Sequence, residues 1–159
     1  MNHKQIFWSL SVGIVLLVAC NSGSNEGTSS SDSVTTDNTS ASTEGTDPKG
    51  IGKYQNVELT HPLDEKMVAD GKVVYDVKCA SCHKLSDEKV VGPGWKGVTD
   101  RRTPEWIMNF VTNTDEMIEK DTAAQNMLEE CLVRMPNQSL AEAEARNVLE
   151  YMRKNDGKN

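Results

Sequence analysis

The feature that most constrains this chain is a C-x-x-C-H motif formed by Cys79, Cys82 and His83. In this arrangement two thiols can add across the two vinyl groups of a haem, while the adjacent imidazole ligates the iron. A thioredoxin-like redox pair would instead need a βαβ setting, and a zinc site would need further ligands, for which only Cys131 and His61 remain. The motif therefore predicts one covalently bound haem c, with His83 as a ligand to its iron.

From Pro62 onward the apolar side chains recur at helical spacing, and no stretch alternates as a strand does. Residues that open or cap helices occur at four places: Thr60 with Pro62, Thr103 with Pro104, Asp121, and Ser139 with Glu142. The predicted fold class is all-α, with three to five helices. Because aromatic residues make up only 5% of the chain, these helices enclose few large apolar side chains, and the haem is expected to complete the core.

The first residues have the pattern of a bacterial export signal. A basic start at Lys4 is followed by a 14-residue apolar run from Ile6 to Ala19, which is short for a membrane-spanning helix of about 20 residues. The run ends in Leu17-Val18-Ala19-Cys20, which resembles the lipobox of lipoproteins, where the peptide is cut before a cysteine that is then acylated. Cys20 is therefore the predicted lipid anchor, on the periplasmic side of a bacterial membrane.

Composition divides the chain into three predicted parts. Residues 1–19 are the signal peptide, residues 20–50 are the lipidated cysteine with a disordered Ser/Thr-rich tether, and residues 51–159 are the folded domain. Residues 21–47 have only Val34 and Ala41 as apolar side chains, so nothing there offsets the entropy of ordering. A net charge of -7, without a run of Lys or Arg, argues against a nucleic-acid-binding protein.

With these motifs in place, residues 62–153 resemble the class I cytochromes c. The family's elements occur in order: Gly71 and Tyr75 in the first helix, the attachment motif, Gly92-Pro93, Met135-Pro136, and Val148 and Tyr151 in the last helix. The resemblance implies a small cytochrome c fold whose first and last helices cross near Gly71. More narrowly, residues 97–107 and 135–140 resemble lipoprotein monohaem cytochromes of Gram-negative bacteria, some of which accompany respiratory reductases such as nitrous-oxide reductase.

The resemblance also implies roles for residues around the iron. The main-chain carbonyl of Pro93 is expected to accept a hydrogen bond from the ring of His83. Met135 lies before a proline in a stretch between two helices, so a loop can bring its sulfur to the iron as the sixth ligand, with His61 and Met117 as the second and third candidates. The residues that could bind the haem propionates are Trp95, Arg101, Arg102 and Trp106.

The function that follows is one-electron transfer rather than catalysis, because the sequence offers no distal histidine or other evident acid–base group, and His61 precedes the first helix. The expected partners are membrane-associated respiratory redox enzymes, and the protein is expected to be a monomer. One alternative is an enzyme or gas sensor whose sixth iron position is open or displaceable. Another is a lipoprotein in which the haem only supports the fold.

The third predicted helix carries an apolar stripe that includes Met127, Leu128, Cys131 and Leu132. Met127, like Met152 of the last helix, is therefore predicted to be a core side chain rather than an iron ligand. Cys131 is the cysteine left over after lipid and haem attachment. We expect it to be a buried structural residue, although an exposed thiol could instead form an intermolecular disulfide.

Charge is unevenly distributed in the folded domain. Four lysines follow or flank the attachment motif: Lys78, Lys84, Lys89 and Lys96. Residues 105–130, in contrast, carry seven acidic residues and one base, Lys120. If the four lysines form a basic rim around the haem edge, docking on an acidic patch of a redox partner should weaken as salt rises.

Overall fold

The computed structural model describes residues 47–159 of the chain. Within them the protein forms six helices and no strand: α1 Glu65–Val74, α2 Val98–Arg101, α3 Pro104–Thr112, α4 Thr114–Lys120, α5 Thr122–Cys131 and α6 Glu142–Asn155. A π-helical turn, Tyr75–Cys79, continues α1. The all-α prediction is confirmed, with one helix more than the upper estimate. The predicted signal peptide, Cys20 and the tether up to residue 46 lie outside the described residues.

Two of the predicted helix starts are confirmed. The hydroxyl of Thr103 accepts the backbone N–H of Trp106 at 3.1 Å, and Pro104 occupies the first position of α3. The carboxylate of Asp121 accepts the backbone N–H of Ala124 at 2.8 Å and caps α5. Both caps satisfy N–H groups that a helix end leaves without partners. The capping residues were therefore sufficient to predict where these two helices begin.

The other two predicted starts are wrong, because each residue has another hydrogen-bond partner. Thr60 does not open α1: its hydroxyl donates to Glu150 at 3.0 Å, and Asp64 caps the helix instead. Ser139 does not cap α6: its φ is +50°, and its N–H donates to the side chain of Asn137 at 2.8 Å. The helix begins after Ala141, at Glu142.

The first and last helices cross at Gly71, as the resemblance implied. A Cβ at this position would lie 2.0 Å from the carbonyl oxygen of Asn147 and 2.9 Å from the Cβ of Tyr151. Only glycine permits this backbone approach. Below the crossing, the rings of Tyr75 and Tyr151 pack with their centroids 5.5 Å apart.

A buried carboxylate joins the segment before α1 to α6. Glu150 is fully buried, and its oxygens accept hydrogen bonds from Thr60 at 3.0 Å, from Arg146 at 2.6 Å and from Arg153 at 2.9 Å. Burial opposes ionisation of Glu150, but the hydrogen bonds from Arg146 and Arg153 outweigh it and keep its pKa below the ordinary value. The carboxylate is therefore a charged and well-satisfied part of the core.

Residues 47–64 have no regular structure but pack along the helices. The fully buried side chain of Asn109, on α3, donates to the carbonyl oxygens of Lys49 and Tyr54, each at 2.9 Å, and accepts the N–H of Tyr54 at 3.0 Å. The hydroxyl of Thr103 donates to the carbonyl oxygen of Pro48 at 2.7 Å. Contacts with α3 thus begin a few residues before position 51, the predicted start of the domain.

Candidate haem site

A cavity of about 800 Å³ lies between α3, α5 and the segments on either side of them. Its volume falls within the range of about 300–1,000 Å³ found for cofactor sites. His83 and Met135 both line it. Much of the remaining wall is apolar, and includes Ile107, Phe110, Val111, Met127, Leu128 and Met152. The chain therefore has room for a large flat apolar group beside its aromatic-poor core, which was expected to need one.

The imidazole of His83 is held in the neutral form that can bind a metal ion. Its Nδ1 lies 2.9 Å from the main-chain oxygen of Pro93. Because a carbonyl oxygen can only accept, Nδ1 carries the proton, and Nε2 keeps the lone pair that a metal ion requires. Burial lowers the pKa of His83, and the hydrogen bond to Pro93 only partly opposes this effect. The ring is therefore neutral at pH 7.

Two contacts that the sequence did not indicate also position His83. Gly92 lies against the ring, since a Cβ there would be 2.3 Å from Cε1 of the imidazole. The hydroxyl of Tyr75 donates to the main-chain oxygen of His83 at 2.8 Å. The N–H of Gly92 donates to the carbonyl oxygen of Cys82 at 3.0 Å, which closes the loop between the motif and Pro93. The glycine before Pro93 was the available sequence signal for the first contact.

The attachment motif is wound into a tight turn at the end of the π-helical segment. The carbonyl oxygen of Cys79 accepts the N–H groups of both Cys82, at 3.0 Å, and His83, at 2.9 Å. Cys82 and His83 line the cavity, whereas Cys79 is buried in the adjoining core. Burial raises the pKa of the Cys79 thiol to about 11, against the opposing effect of Lys78. π-Helical turns of this kind are frequent at functional sites.

Of the three candidates for the sixth iron ligand, only Met135 lines the cavity. The Nδ1 of His61 lies 2.7 Å from the main-chain oxygen of Asn159, and this ring lines a different, smaller pocket. Met117 is fully buried, and its sulfur accepts the N–H of Ile51 at 2.9 Å. The two helical methionines predicted to be core residues, Met127 and Met152, also line the cavity.

The four residues considered for the propionates all line the cavity, but their polar groups differ in availability. The indole N–H of Trp106 donates to Asp121 at 3.2 Å, and Arg101 donates to the carbonyl oxygen of Lys96 at 2.7 Å. Arg102 lies over the ring of Trp106, 4.5 Å from its centroid. Trp95 packs 5.7 Å from the ring of His83. The indole N–H is the only hydrogen-bond donor of the Trp106 side chain, and it is already bonded to Asp121 rather than available to a propionate.

The end of α5 differs from the prediction. Cys131 is half-buried and lines the cavity, so it is less enclosed than the expected core residue. Leu132, predicted to continue the apolar stripe, has a φ of +59° and is 85% exposed. The helix ends at Cys131, and the left-handed conformation of Leu132 turns its side chain away from the core.

Three of the four lysines expected to form a basic rim have acidic partners. Lys78 lies 3.3 Å from Glu144, Lys96 lies 3.7 Å from Asp87, and Lys89 lies 3.9 Å from a carboxylate oxygen of Glu130. These charge pairs are at least partly exposed to solvent, so each is weak, but together they reduce the positive potential near the cavity. The fourth, Lys84, has no ion pair within the described residues.

A helical domain whose C-x-x-C-H turn presents a neutral histidine to a large apolar cavity defines a c-type cytochrome. The chain belongs to the cytochrome c family, whose family model matches residues 68–156. Its fold is that of the small cytochromes c, and it carries covalently bound haem c as they do. Members of this family are haem-based electron carriers, and their domains are typically exported.

Solved structures give the same result. The chain is 31% identical to the cytochrome c from Rhodothermus marinus, with a TM-score of 0.67 over 70% of this chain and 98% of that one. An engineered form of that cytochrome is 30% identical, with a TM-score of 0.66 over 70% of this chain and all of its own. The same engineered form bound to a carbene intermediate has a TM-score of 0.63 at 30% identity, with the same coverage. No curated protein matches the chain.

Within residues 47–159, no helix is both long enough and apolar enough to cross a bilayer.

Proposed function

We propose that this protein is a membrane-tethered periplasmic electron carrier with one haem c, attached through Cys79 and Cys82 and ligated by His83 and Met135. The observation that carries the proposal is that His83, already deprotonated at Nε2 by its bond to Pro93, lines the same cavity as Met135. When bound, the haem supplies a one-electron ferric–ferrous couple.

The residues of the chain contribute binding, orientation and exclusion of water. Pro93 and Gly92 hold the imidazole of His83 in one orientation. Apolar side chains of α3 and α5 form part of the cavity wall and would shield the haem from water where they contact it. Because His83 is the one histidine of the described domain that lines the cavity, a second imidazole for acid–base catalysis is missing there. This favours an electron carrier over an enzyme or gas sensor.

The sixth ligand is tested by comparing two methionines that line the same cavity. In the ferric holoprotein, Met135→Ala should abolish the weak far-red absorption band of methionine-ligated haem and lower the reduction potential. The control, Met127→Ala on α5, should keep the band. The assignment to Met135 is wrong if the band survives in the first variant or disappears only in the second. Binding of carbon monoxide or cyanide by the wild type without loss of a ligand would favour the enzyme or sensor.

The tether and the partner complete the proposal. Acylation of Cys20 would hold the domain at the membrane, where a respiratory redox enzyme, such as a nitrous-oxide reductase, is the partner class that the sequence resemblance suggests. The experiment is growth of cells that express the wild type or Cys20→Ala in the presence of a radiolabelled fatty acid. Label on the wild type that is absent from the variant is the expected result. A wild type that takes up no label would overturn the lipid anchor and leave the electron carrier intact.

A further inference from the structure

One wall of the haem cavity is formed by the short helix α2 and the residues beside it. Val98 and Arg101 of α2, and Arg102 directly after it, line the cavity. Arg102 also lines the smaller pocket that contains His61. Its guanidinium has no hydrogen-bond or ion-pair partner among residues 47–159 and lies 4.5 Å from the ring centroid of Trp106. The place of this charge is therefore set by the backbone of α2 and by the Trp106 contact.

The start of α2 has no cap of its own. The helix contains only four residues, and Gly97 before it has a left-handed φ of +70° and no side chain that could accept a hydrogen bond. A helix this short leaves most of its N–H groups without an intrahelical partner and is marginal in water. Another part of the chain must therefore hold the start of α2.

Asp156, the residue directly after α6, supplies the missing hydrogen-bond acceptors. One carboxylate oxygen accepts the N–H of Gly97 at 2.6 Å. The other accepts both the N–H of Thr99, at 2.9 Å, and its hydroxyl, at 2.8 Å. Asp156 is itself fixed, because its own N–H donates to the carbonyl oxygen of Met152 at 3.0 Å. The cap that Gly97 cannot provide thus comes from the far end of the domain.

The other polar links of α2 are weaker or local. Lys158 pairs with Asp100, but their side chains are 37% and 59% exposed, so the pair contributes little. Arg101 donates at 2.7 Å to a carbonyl oxygen of the turn just before α2, which does not tie the helix to another element. The apolar contact of Val98 with the core completes the set. Asp156 is therefore the main polar connection between α2 and α6.

We propose that Asp156 is a positioning residue for the haem site, because it holds α2 so that Arg101 and Arg102 place their charges at the cavity wall. Positive charge beside the iron destabilises the ferric state more than the ferrous state, which carries one charge less. Asp156 thereby raises the reduction potential, although its own negative charge alone would lower it. The proposal rests on the proposed electron-carrier function and concerns how the chain sets the potential of that couple.

The test removes one negative charge from the holoprotein at either of two places. Asp156→Asn loses the charge and one of the two accepting oxygens. The matched control, Asp87→Asn, loses an 82% exposed carboxylate that lines the cavity itself. Through charge alone both substitutions would raise the potential. Because Asp156 positions the arginines, its variant should instead lower it, so that the ferrous-to-ferric ratio at the wild-type midpoint falls roughly twofold to threefold, with the far-red band unchanged.

A milder variant changes the position of α2 without changing any charge. Thr99→Val removes the 2.8 Å hydroxyl bond and keeps both N–H bonds to Asp156, so its potential should fall by less than that of Asp156→Asn. A second readout does not depend on the redox couple. In both variants, hydrogen exchange at the start of α2 should be roughly fivefold to tenfold faster, and tryptic cleavage after Arg101 should also be faster, whereas Asp87→Asn should match the wild type.

The outcomes that contradict the proposal are distinct. A higher potential in Asp156→Asn, or equal shifts in it and in Asp87→Asn, overturns the proposal, because charge then acts without position. Faster exchange with an unchanged potential leaves Asp156 a structural role only, and a lower potential without faster exchange means that α2 has not moved. Loss of the far-red band in Asp156→Asn would assign the change to iron ligation instead. A wild type without a reversible one-electron couple would remove the electron-carrier function and this proposal with it.

Discussion

Two segments meet at the cavity, and they are held very differently. The histidine segment, residues 79–97, is held by hydrogen bonds that reach other parts of the fold, including Tyr75 to His83 at 2.8 Å and Asn155 to the carbonyl oxygen of Leu85 at 3.0 Å. In the methionine segment, residues 132–141, the stretch 133–140 makes no backbone-to-backbone hydrogen bond within the described structure. Its polar link to α4 is Arg134, which donates to Asp115 at 3.0 Å, and its partly buried side chains Met135 and Leu140 pack against the core.

The difference indicates which side of the cavity can change. A ligand held by several independent hydrogen bonds keeps its position when one is lost, whereas a segment held by one exposed ion pair and two partly buried apolar side chains opens at a lower cost in free energy. With Met135 as the proposed sixth ligand, we therefore expect the site to respond to perturbation by releasing Met135 before His83. The predictions below test this asymmetry.

The largest expected effect concerns Glu150, which ties residues 60–64 to α6 behind the histidine segment. At neutral pH, Glu150→Gln should lower the free energy of unfolding by about 3 to 5 kcal/mol, because Arg146 and Arg153 lose their buried partner. The folded pKa of Glu150 is depressed, so its contribution is present above the ordinary carboxyl pKa of about 4.3 and is lost as pH falls through the folded pKa. The difference between variant and wild type should therefore shrink below about pH 4.

Urea unfolding of both proteins at neutral and acidic pH measures this effect. The control is Glu142→Gln at the start of the same helix, whose carboxylate pairs with Lys53 in an exposed position. It should leave stability unchanged at every pH. A difference for Glu150→Gln that stays constant down to low pH would show that the carboxylate does not contribute through its charge.

The next largest effect is expected where Gly92 meets the imidazole. In Gly92→Ala the new methyl group would lie 2.3 Å from Cε1 of His83, so the ring or the loop must move. Overpacking of this kind costs about 1 to 3 kcal/mol. We expect weaker haem incorporation and an altered ferric spectrum, because the displaced ring loses its alignment with Pro93.

Gly157→Ala provides the matched control for that substitution. Gly157, unlike Gly92, has a left-handed φ, of +72°, and nothing lies within 4 Å of the added Cβ. It should lower stability through backbone strain alone and leave the haem spectrum unchanged. If the two variants have the same spectrum, close contact with Gly92 does not position His83.

The features that could be predicted from the sequence depend on residues close together in the chain. The spacing of Cys79, Cys82 and His83 reflects covalent chemistry, and the capping residues Thr103 and Asp121 act on N–H groups three positions away, so both could be recognised without tertiary structure. The two failed helix starts had different causes, because Ser139 has a φ of +50° whereas Thr60 has a long-range partner. Thr60 bonds to Glu150, 90 positions along the chain, and no local pattern reports that competition.

The site was less predictable than the fold for the same reason. The indole of Trp106 was a reasonable propionate donor until Asp121, 15 positions away, was found to accept its N–H. Leu132 fitted the apolar stripe of α5 because periodicity identifies a helical face but does not show where the helix ends. Without glycine or asparagine at that position, the sequence contained no stop signal.

The smallest expected effect tests the asymmetry most directly. Arg134→Ala removes the ion pair with Asp115. The side chains of Arg134 and Asp115 are 45% and 62% exposed, so global stability should change little. Because the methionine segment loses its main link to α4, Met135 should leave the iron more often. Cyanide binding to the ferric protein, which requires that release, should become roughly twofold to fivefold faster.

The control is Lys154→Ala, which removes a comparably exposed pair with Glu65 of α1. Cyanide binding that accelerates equally in both variants would mean that the two segments are equally mobile, and the contrast drawn between them would be wrong.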